Sequence, residues 1–113
     1  MIENEEDHFF GKVALKALII KGNTVLLVRH VGSQATWELP GGRLEKAEDP
    51  VLGLAREIKE ELGVVIAAGE VVSVEQFVMK RTGEAHLAIV YRSTLVDEGV
   101  GLLPETSEIH ETA

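Results

Sequence analysis

The stretch that most constrains the fold is a predicted helix that begins near residue 50. Asp49 is a favourable N-cap, Pro50 suits the first helical position, and Gly63 stands where a left-handed C-terminal glycine is common. Apolar residues between these two ends predict a helix of about 13 residues, roughly 20 Å long, with one apolar face that packs on a sheet. These apolar residues recur at helical spacing: Val51, Leu54, Ala55, Ile58 and Leu62.

The same helix carries three acidic side chains on one face near its C-terminal end, at Glu57, Glu60 and Glu61. Like charges at this spacing destabilise a helix by about 0.2–0.5 kcal/mol per pair, and the negative end of the helix dipole adds to that cost. A divalent cation bound through carboxylate oxygens would offset both effects. For these residues alone, a solvated glutamate-rich helix face is the alternative interpretation.

The residues around the glutamates favour the cation-binding interpretation. From residue 42 to residue 64 the order is Gly42, five residues, Glu48, seven residues, Arg56-Glu57-Ile58, one residue, Glu60-Glu61, one residue, and Gly63-Val64. This spacing matches every defined position of the pattern G-x5-E-x7-R-E-U-x-E-E-x-G-U, in which U is aliphatic. The chain therefore resembles the Nudix (MutT-like) hydrolases, by motif over these 23 residues and by general pattern over most of its length.

The resemblance implies a metal-dependent catalytic site on this helix. Glu57, Glu60 and Glu61 would bind Mg²⁺ or Mn²⁺, and the main-chain carbonyl of Gly41 would be a further ligand. Either Glu57 or Glu61 would take a proton from the attacking water. Glu48 would lie beside this cluster in a supporting or water-bridged position.

Further residues have expected roles, of which those of Arg56 and a late carboxylate follow from the resemblance and the others from position, charge or residue type. Arg56 would hold the carboxylates in place by bidentate pairing. Arg29 and Arg43 are candidate phosphate contacts, with ordinary surface arginines as the alternative. Some relatives add a carboxylate from a late loop, for which Glu108 and Glu111 are favoured over Glu105. Candidates for stacking on a base are aromatic residues that are equally compatible with a core position: Trp37, Phe77 and Tyr91.

The segments around the helix have the character of strands. Lys21-Gly22-Asn23 predicts a turn between the first two strands, and residues 81–84 predict a second hairpin turn. Gly69 is expected to break a short apolar run after the helix, and residues 104–113 have helical character. We predict an α/β fold with a mixed sheet and a helix on one face, as in the Nudix-type α/β/α sandwich. The predicted strands cover residues 12–20, 24–30, 70–80 and 85–96, with a short extended piece over 37–42.

The length of 113 residues indicates one domain, with an acidic flexible arm over residues 1–10 and a single Nudix domain over residues 11–113. Nudix domains usually continue into a further helix that covers the other sheet face, and this chain is expected to lack it. A shortened chain, a further tail or pairing with a second copy as a homodimer would each account for that difference.

The amino-acid composition limits the classes of molecule that this chain is expected to bind. The formal charge of −8 disfavours a nucleic-acid polymer, because such partners are bound by neutralising their phosphates with Lys and Arg. A small nucleotide is still allowed where a divalent metal supplies positive charge. The chain has no cysteine, which fits a cytoplasmic location, and no apolar run long enough to suggest a membrane partner.

The resemblance implies hydrolysis of a diphosphate linkage in a nucleoside triphosphate or a small nucleoside diphosphate derivative. The alternative is a Nudix-fold module that binds and senses a nucleotide without turnover. Loss of a signature glutamate would favour the module, and none is lost here.

Overall fold

The computed structural model describes residues 8–29 and 37–96 and the backbone of residues 107–111. Most of the predicted acidic arm, residues 1–7, lies outside these ranges. The described residues form β1 (Lys12–Lys21), β2 (Thr24–Val28), β3 (Gly41–Arg43), α1 (Pro50–Leu62), β4 (Ile66–Val78), β5 (Ala85–Leu95) and β6 (Ser107–Glu111).

The strands make one mixed sheet in the order β4-β5-β1-β2-β6, with β3 paired to β1. β1 and β5 are parallel, in a register that runs from Lys12–His86 to Ile19–Ser93. The other pairings are antiparallel, including the predicted β1–β2 hairpin, whose turn residue Gly22 has φ +61°. The predicted fold class, a mixed sheet with a helix on one face, is confirmed.

The helix begins and ends where its local signals predict. The Asp49 carboxylate accepts a hydrogen bond of 3.0 Å from the main-chain N–H of Leu52, and Pro50 occupies the first turn. At the other end Gly63 has φ +73°, and its N–H donates to the carbonyl of Lys59 over 2.9 Å. These caps satisfy main-chain groups that would otherwise lack partners at the helix ends.

The core lies between α1 and one face of the sheet. Leu54, Ile58 and Leu62 on the helix are fully buried, and they belong to the same apolar cluster as alternate residues of β1: Leu15, Ala17 and Ile19. Val51 is 40% exposed, so the buried stripe is narrower than the periodicity predicts. In the described part of the chain α1 is the only helix, and it is too short and too polar to cross a membrane.

Two expectations about the strands are wrong. Residues 107–111, expected to be helical, form β6, which pairs with the open edge of β2 from Thr24–Glu111 to Val28–Ser107. So short a segment cannot form a stable isolated helix, whereas pairing with β2 supplies main-chain hydrogen bonds from outside it. Gly69 does not end a strand, because β4 continues through it and the register shifts between Ala68 and Val71. A glycine inside a strand often marks such a bulge.

Candidate active site

A cavity of about 540 Å³ is lined by residues of β1, β3, α1, β4 and β5. Its charged wall contains the carboxylates of Glu38, Glu57 and Glu61 and the cations of Lys16 and Arg43. The remaining lining, referred to below as the apolar wall, consists mainly of Ala14, Phe77, Met79 and His86. We call this space the active-site cavity.

The glycine pair of β3 brings the main chain into this cavity. Gly41 has φ +154°, and a Cβ there would overlap the main-chain carbonyl of Leu15, so no other residue fits without a shift. A Cβ at Gly42 would lie 2.8 Å from Cγ of Glu57 and closer still to its carboxyl group. Gly41 is therefore required by its close approach to the main chain, whereas Gly42 leaves room for the Glu57 side chain in its observed position.

Arg56 holds a carboxylate in the bidentate manner that the resemblance implies. Its Nε donates to Oε2 of Glu48 over 2.7 Å, and a terminal nitrogen, Nη2, donates to Oε1 of the same residue over 3.2 Å. The other terminal nitrogen, Nη1, lies 3.2 Å from oxygens of both Glu60 and Glu57. This arrangement offsets part of the repulsion between Glu57 and Glu60.

The same contacts determine the protonation of the pair. The hydrogen bond from Arg56 lowers the pKa of the Glu48 carboxyl below its ordinary value, and the main-chain N–H of Glu45 lowers it further. In turn, the hydrogen bond to Glu48 raises the pKa of Arg56. Both groups therefore remain charged at neutral pH.

Gly53, near the N-terminal end of α1, makes room for Glu48. A Cβ at this position would lie 2.6 Å from Oε1 of Glu48, so the carboxylate rests directly on the helix backbone. Sequence reasoning missed this residue. A glycine inside a predicted helix was the signal that could have identified it, because glycine there is less favourable than alanine by about 1 kcal/mol.

The predicted metal ligands divide into two groups. Glu57, Glu61 and Gly41 line the active-site cavity. Glu60 does not line it, because its side chain, 61% exposed, points to Arg56, with two contacts of 3.2 and 3.3 Å.

The predicted phosphate contacts also divide. Arg43 lines the active-site cavity, together with Lys16, which sequence reasoning placed only in a strand. Arg29 lies over the ring of Trp37, with its guanidinium carbon 4.6 Å from the ring centroid, and is not among the cavity-lining residues.

The donor set fits a hard divalent cation. Glu57, Glu61 and the main chain of Gly41 offer oxygen atoms in one cavity, which is the ligand chemistry that Mg²⁺ and Mn²⁺ prefer. Within residues 8–29 and 37–96, no three His, Asp or Glu side chains already converge as a metal-binding group. Part of the reason is that Arg56 draws Glu48 and Glu60 away from the cavity.

On the apolar wall, Phe77 and His86 form a stacked pair that sequence reasoning did not find. They are direct partners in the β4–β5 register, and their ring centroids are 5.2 Å apart with planes at 19°. His86 is buried, and its Nε2 lies 2.9 Å from Oε1 of Glu84, whose other oxygen lies 3.1 Å from the ammonium of Lys12. The hydrogen bond from Lys12, followed by that from His86, lowers the pKa of Glu84.

The other two aromatic candidates for base stacking lie elsewhere. Tyr91 is buried in the core cluster, and Trp37 contacts Arg29. For the late carboxylates the structure describes no side chain. Glu105 is outside the described residues, and for Glu108 and Glu111 only the backbone is described, opposite Leu27 and Thr24 of β2.

Comparison with protein families gives one match that spans nearly the whole chain, to the model of the NUDIX domain over residues 12–113. A MutT-like protein from Streptomyces ambofaciens is 35% identical over 80 residues, which are 71% of this chain and 49% of that protein. An ADP-ribose pyrophosphatase from Mycobacterium tuberculosis is 36% identical over 74 residues, or 63% of this chain and 36% of that protein. The chain thus spans about half or less of these relatives.

Among solved structures, the crystal structure of a MutT NUDIX hydrolase from Burkholderia pseudomallei is similar in fold. It aligns with a TM-score of 0.74 and 26% identity, over 90% of this chain and 82% of that one. The similarity in structure thus extends over most of the chain, beyond the helix and the loop before it.

Proposed function

Because the chain belongs to the NUDIX family, we propose that it is a metal-dependent hydrolase that cleaves a diphosphate linkage in a nucleoside triphosphate or a small nucleoside diphosphate derivative. The observation that carries the proposal is the content of the active-site cavity. Two helix carboxylates, Glu57 and Glu61, share it with the cations of Lys16 and Arg43. A phosphate chain needs both kinds of group, since its oxygens repel an attacking water and its leaving group gains charge.

In the proposed reaction a water oxygen attacks phosphorus, an anhydride P–O bond breaks, and the leaving phosphate keeps the bonding electrons. Glu57 or Glu61 accepts the proton that the water loses. Lys16 and Arg43 hold the phosphate oxygens. Arg56 is a positioning residue in this scheme, because it anchors Glu48 and also contacts Glu57.

Glu57, Glu61 and the carbonyl of Gly41 would hold Mg²⁺ or Mn²⁺, and Glu60 would join them by leaving Arg56. A metal ion bound there supplies positive charge to the phosphate oxygens and lowers the pKa of a coordinated water. The net charge of −8 makes such local positive charge necessary for a polyanionic substrate.

The experiment that tests the proposal compares the parent with Glu61→Gln. Phosphate release from nucleoside triphosphates and nucleoside diphosphate sugars is measured with Mg²⁺ and a coupling phosphatase. We expect Mg²⁺-dependent turnover in the parent and a loss of about 10²–10⁴-fold in the variant, with an unchanged melting temperature without metal. Glu70→Gln, on the exposed part of β4 outside the cavity, is the matched control and should keep full activity.

Two results would count against the proposal. A parent that binds nucleotides but never turns them over would support the sensing module instead. A fully active Glu61→Gln would show that Glu61 has no catalytic role and would refute the site as assigned.

The substrate is proposed only as a class. One relative is named for ADP-ribose, and the chain covers 36% of that protein. Formation of a homodimer and a cytoplasmic location stay predictions. Light scattering of the purified chain tests the first, and β4 is the strand to examine, because it is an edge strand with several exposed apolar side chains.

A further inference from the structure

One carboxylate of the active-site cavity does not come from the helix. Of the three that line the cavity in the described part of the chain, Glu57 and Glu61 belong to α1, whereas Glu38 precedes β3. The N–H of Glu38 donates to the carbonyl of Val28 over 2.9 Å, and the N–H of Val28 donates to the carbonyl of Glu38 over 2.8 Å. These two hydrogen bonds to the end of β2 fix the point from which the Glu38 side chain leaves the main chain. The proposed reaction gives this carboxylate no role.

The side chain of Glu38 lies beside a cation that is proposed to hold phosphate. Its Oε1 is 3.7 Å from Nζ of Lys16, and both side chains line the active-site cavity. Lys16 is the β1 residue opposite Gly41 of β3, whose carbonyl is a proposed metal ligand. A phosphate oxygen that approaches Lys16 therefore meets an ammonium group that is already paired with a carboxylate.

We propose that Glu38 lowers the affinity of the cavity for phosphate-bearing products, because it competes with them for Lys16. This inference rests on the proposed function, in which Lys16 holds phosphate oxygens, and it makes Glu38 a positioning residue that acts through Lys16. A bound phosphate must share the charge of Lys16 with Glu38, which also repels the phosphate. Each product carries only part of the phosphate chain, so it makes fewer contacts than the whole substrate to offset that repulsion.

A device of this kind serves turnover. A metal ion, Lys16 and Arg43 attract the phosphates of product as well as those of substrate, and such uniform binding does not raise kcat. Release of product limits the turnover of many enzymes. A carboxylate fixed beside one cation reduces the attraction for product while the cation stays in place. The side chains of Glu38 and Lys16 are 43% and 25% exposed, and ion pairs with such access to solvent change an equilibrium constant by up to about 5-fold.

The test measures the Kd of pyrophosphate by calorimetry in excess Mg²⁺ and needs no turnover. Glu38→Gln removes the charge and keeps the size of the side chain, and we expect it to bind pyrophosphate about 2–5-fold more tightly than the parent. Glu70→Gln is the matched control, because it removes the same charge from the exposed part of β4 outside the cavity. It should keep the parent's Kd.

A double-mutant cycle shows whether Glu38 acts through Lys16. Lys16→Gln should weaken the binding of pyrophosphate. Adding Glu38→Gln to that variant should change the Kd less than the same substitution does in the parent, because the competition for Lys16 no longer exists. In the turnover assay, Glu38→Gln should lower KM and the inhibition constant of pyrophosphate together without raising kcat. Loss of a metal ligand would instead weaken the binding of pyrophosphate with Mg²⁺.

The inference is overturned if Glu38→Gln binds pyrophosphate as the parent does, or more weakly. Weaker binding would mean that Glu38 helps to hold the metal ion or accepts hydrogen bonds from the ligand. An equal effect of the substitution with and without Lys16, or no binding of millimolar pyrophosphate by either protein, would also overturn it. Tighter binding by Glu38→Gln, with no hydrolysis by either protein, would refute the proposed function and leave the competition for Lys16 standing, so the two failures are distinguishable.

Discussion

Replacing Gly42 with alanine tests whether the position of the Glu57 carboxylate matters for catalysis. The added methyl group would point at Glu57, with 2.8 Å between its carbon and Cγ of that residue. The φ of Gly42 is not positive, so alanine can adopt the backbone conformation. The substitution therefore acts on one side chain and leaves the loop as it is.

The magnitude follows from the distance. Non-bonded carbon atoms ordinarily lie about 3.5 Å apart or more, so Cγ must move by about 0.7 Å and the carboxyl group, which is nearer, by more. A misplacement of about 1 Å in a catalytic group lowers the rate by about 100-fold. The free energy of unfolding should change little or rise. Gly→Ala at a compatible position stabilises a protein by about 0.4–1 kcal/mol, because it lowers the conformational entropy of the unfolded chain.

The assay measures kcat for Mg²⁺-dependent phosphate release and the melting temperature on the same samples. Gly22→Ala is a control in which the backbone is strained and no side chain is displaced, because Gly22 has φ +61° in a turn with open space around it. It should lower the melting temperature and leave kcat unchanged. If Gly42→Ala retains the parent's kcat, Glu57 does not need its observed position, and the metal site as assigned is wrong.

Two further predictions concern Arg56 and its partner. Arg56→Lys keeps a positive charge but cannot hold Glu48 through two nitrogens, so activity should fall by about 10–100-fold. The far-ultraviolet circular dichroism of the protein should stay unchanged, because the helix is retained. Full activity of the variant would show that the pairing has no catalytic consequence. Because Arg56 lowers the pKa of Glu48 in the folded protein, the stabilisation from this carboxylate is present above its unfolded pKa and is lost as pH falls through the folded value. Thermal melts of the parent and Glu48→Gln should therefore converge as pH falls from about 6 to about 3, and a constant difference in melting temperature would contradict this.

Local signals were sufficient for the helix and for part of the site. The bounds of α1 follow from Asp49, Pro50 and Gly63, each of which acts within a few residues of itself. Helical spacing predicted that Glu57, Glu60 and Glu61 share one face, and of these Glu57 and Glu61 line the cavity whereas Glu60 does not. The pattern also indicated that Arg56 pairs with a carboxylate in bidentate fashion, and in the structure that carboxylate is Glu48.

Non-local pairing determined what the sequence did not predict. Residues 107–111 become a strand because β2 offers an open edge 80 or so residues earlier in the chain, which no local propensity records. His86 reaches the cavity only through its register with Phe77 on one side and Lys12 on the other. Alternation along β5 places it on a face, but only the pairing of the strands brings it to the cavity that residues of α1 and β3 also line.

The contacts of Arg56 change the physical argument for a metal ion. The crowding of Glu57, Glu60 and Glu61 favours a bound cation. Yet the Arg56 guanidinium already contacts two of them, Glu57 and Glu60, as well as Glu48. Arg56 therefore offsets part of the negative charge at this end of the helix. Glu57 lines the cavity, and Glu60 would join the metal ligands by leaving Arg56, so a metal ion at this site must compete with Arg56 for two ligands. Binding of substrate phosphates, which bring their own oxygen ligands, favours the metal in that competition. Metal and nucleotide should then bind more tightly together than either binds alone.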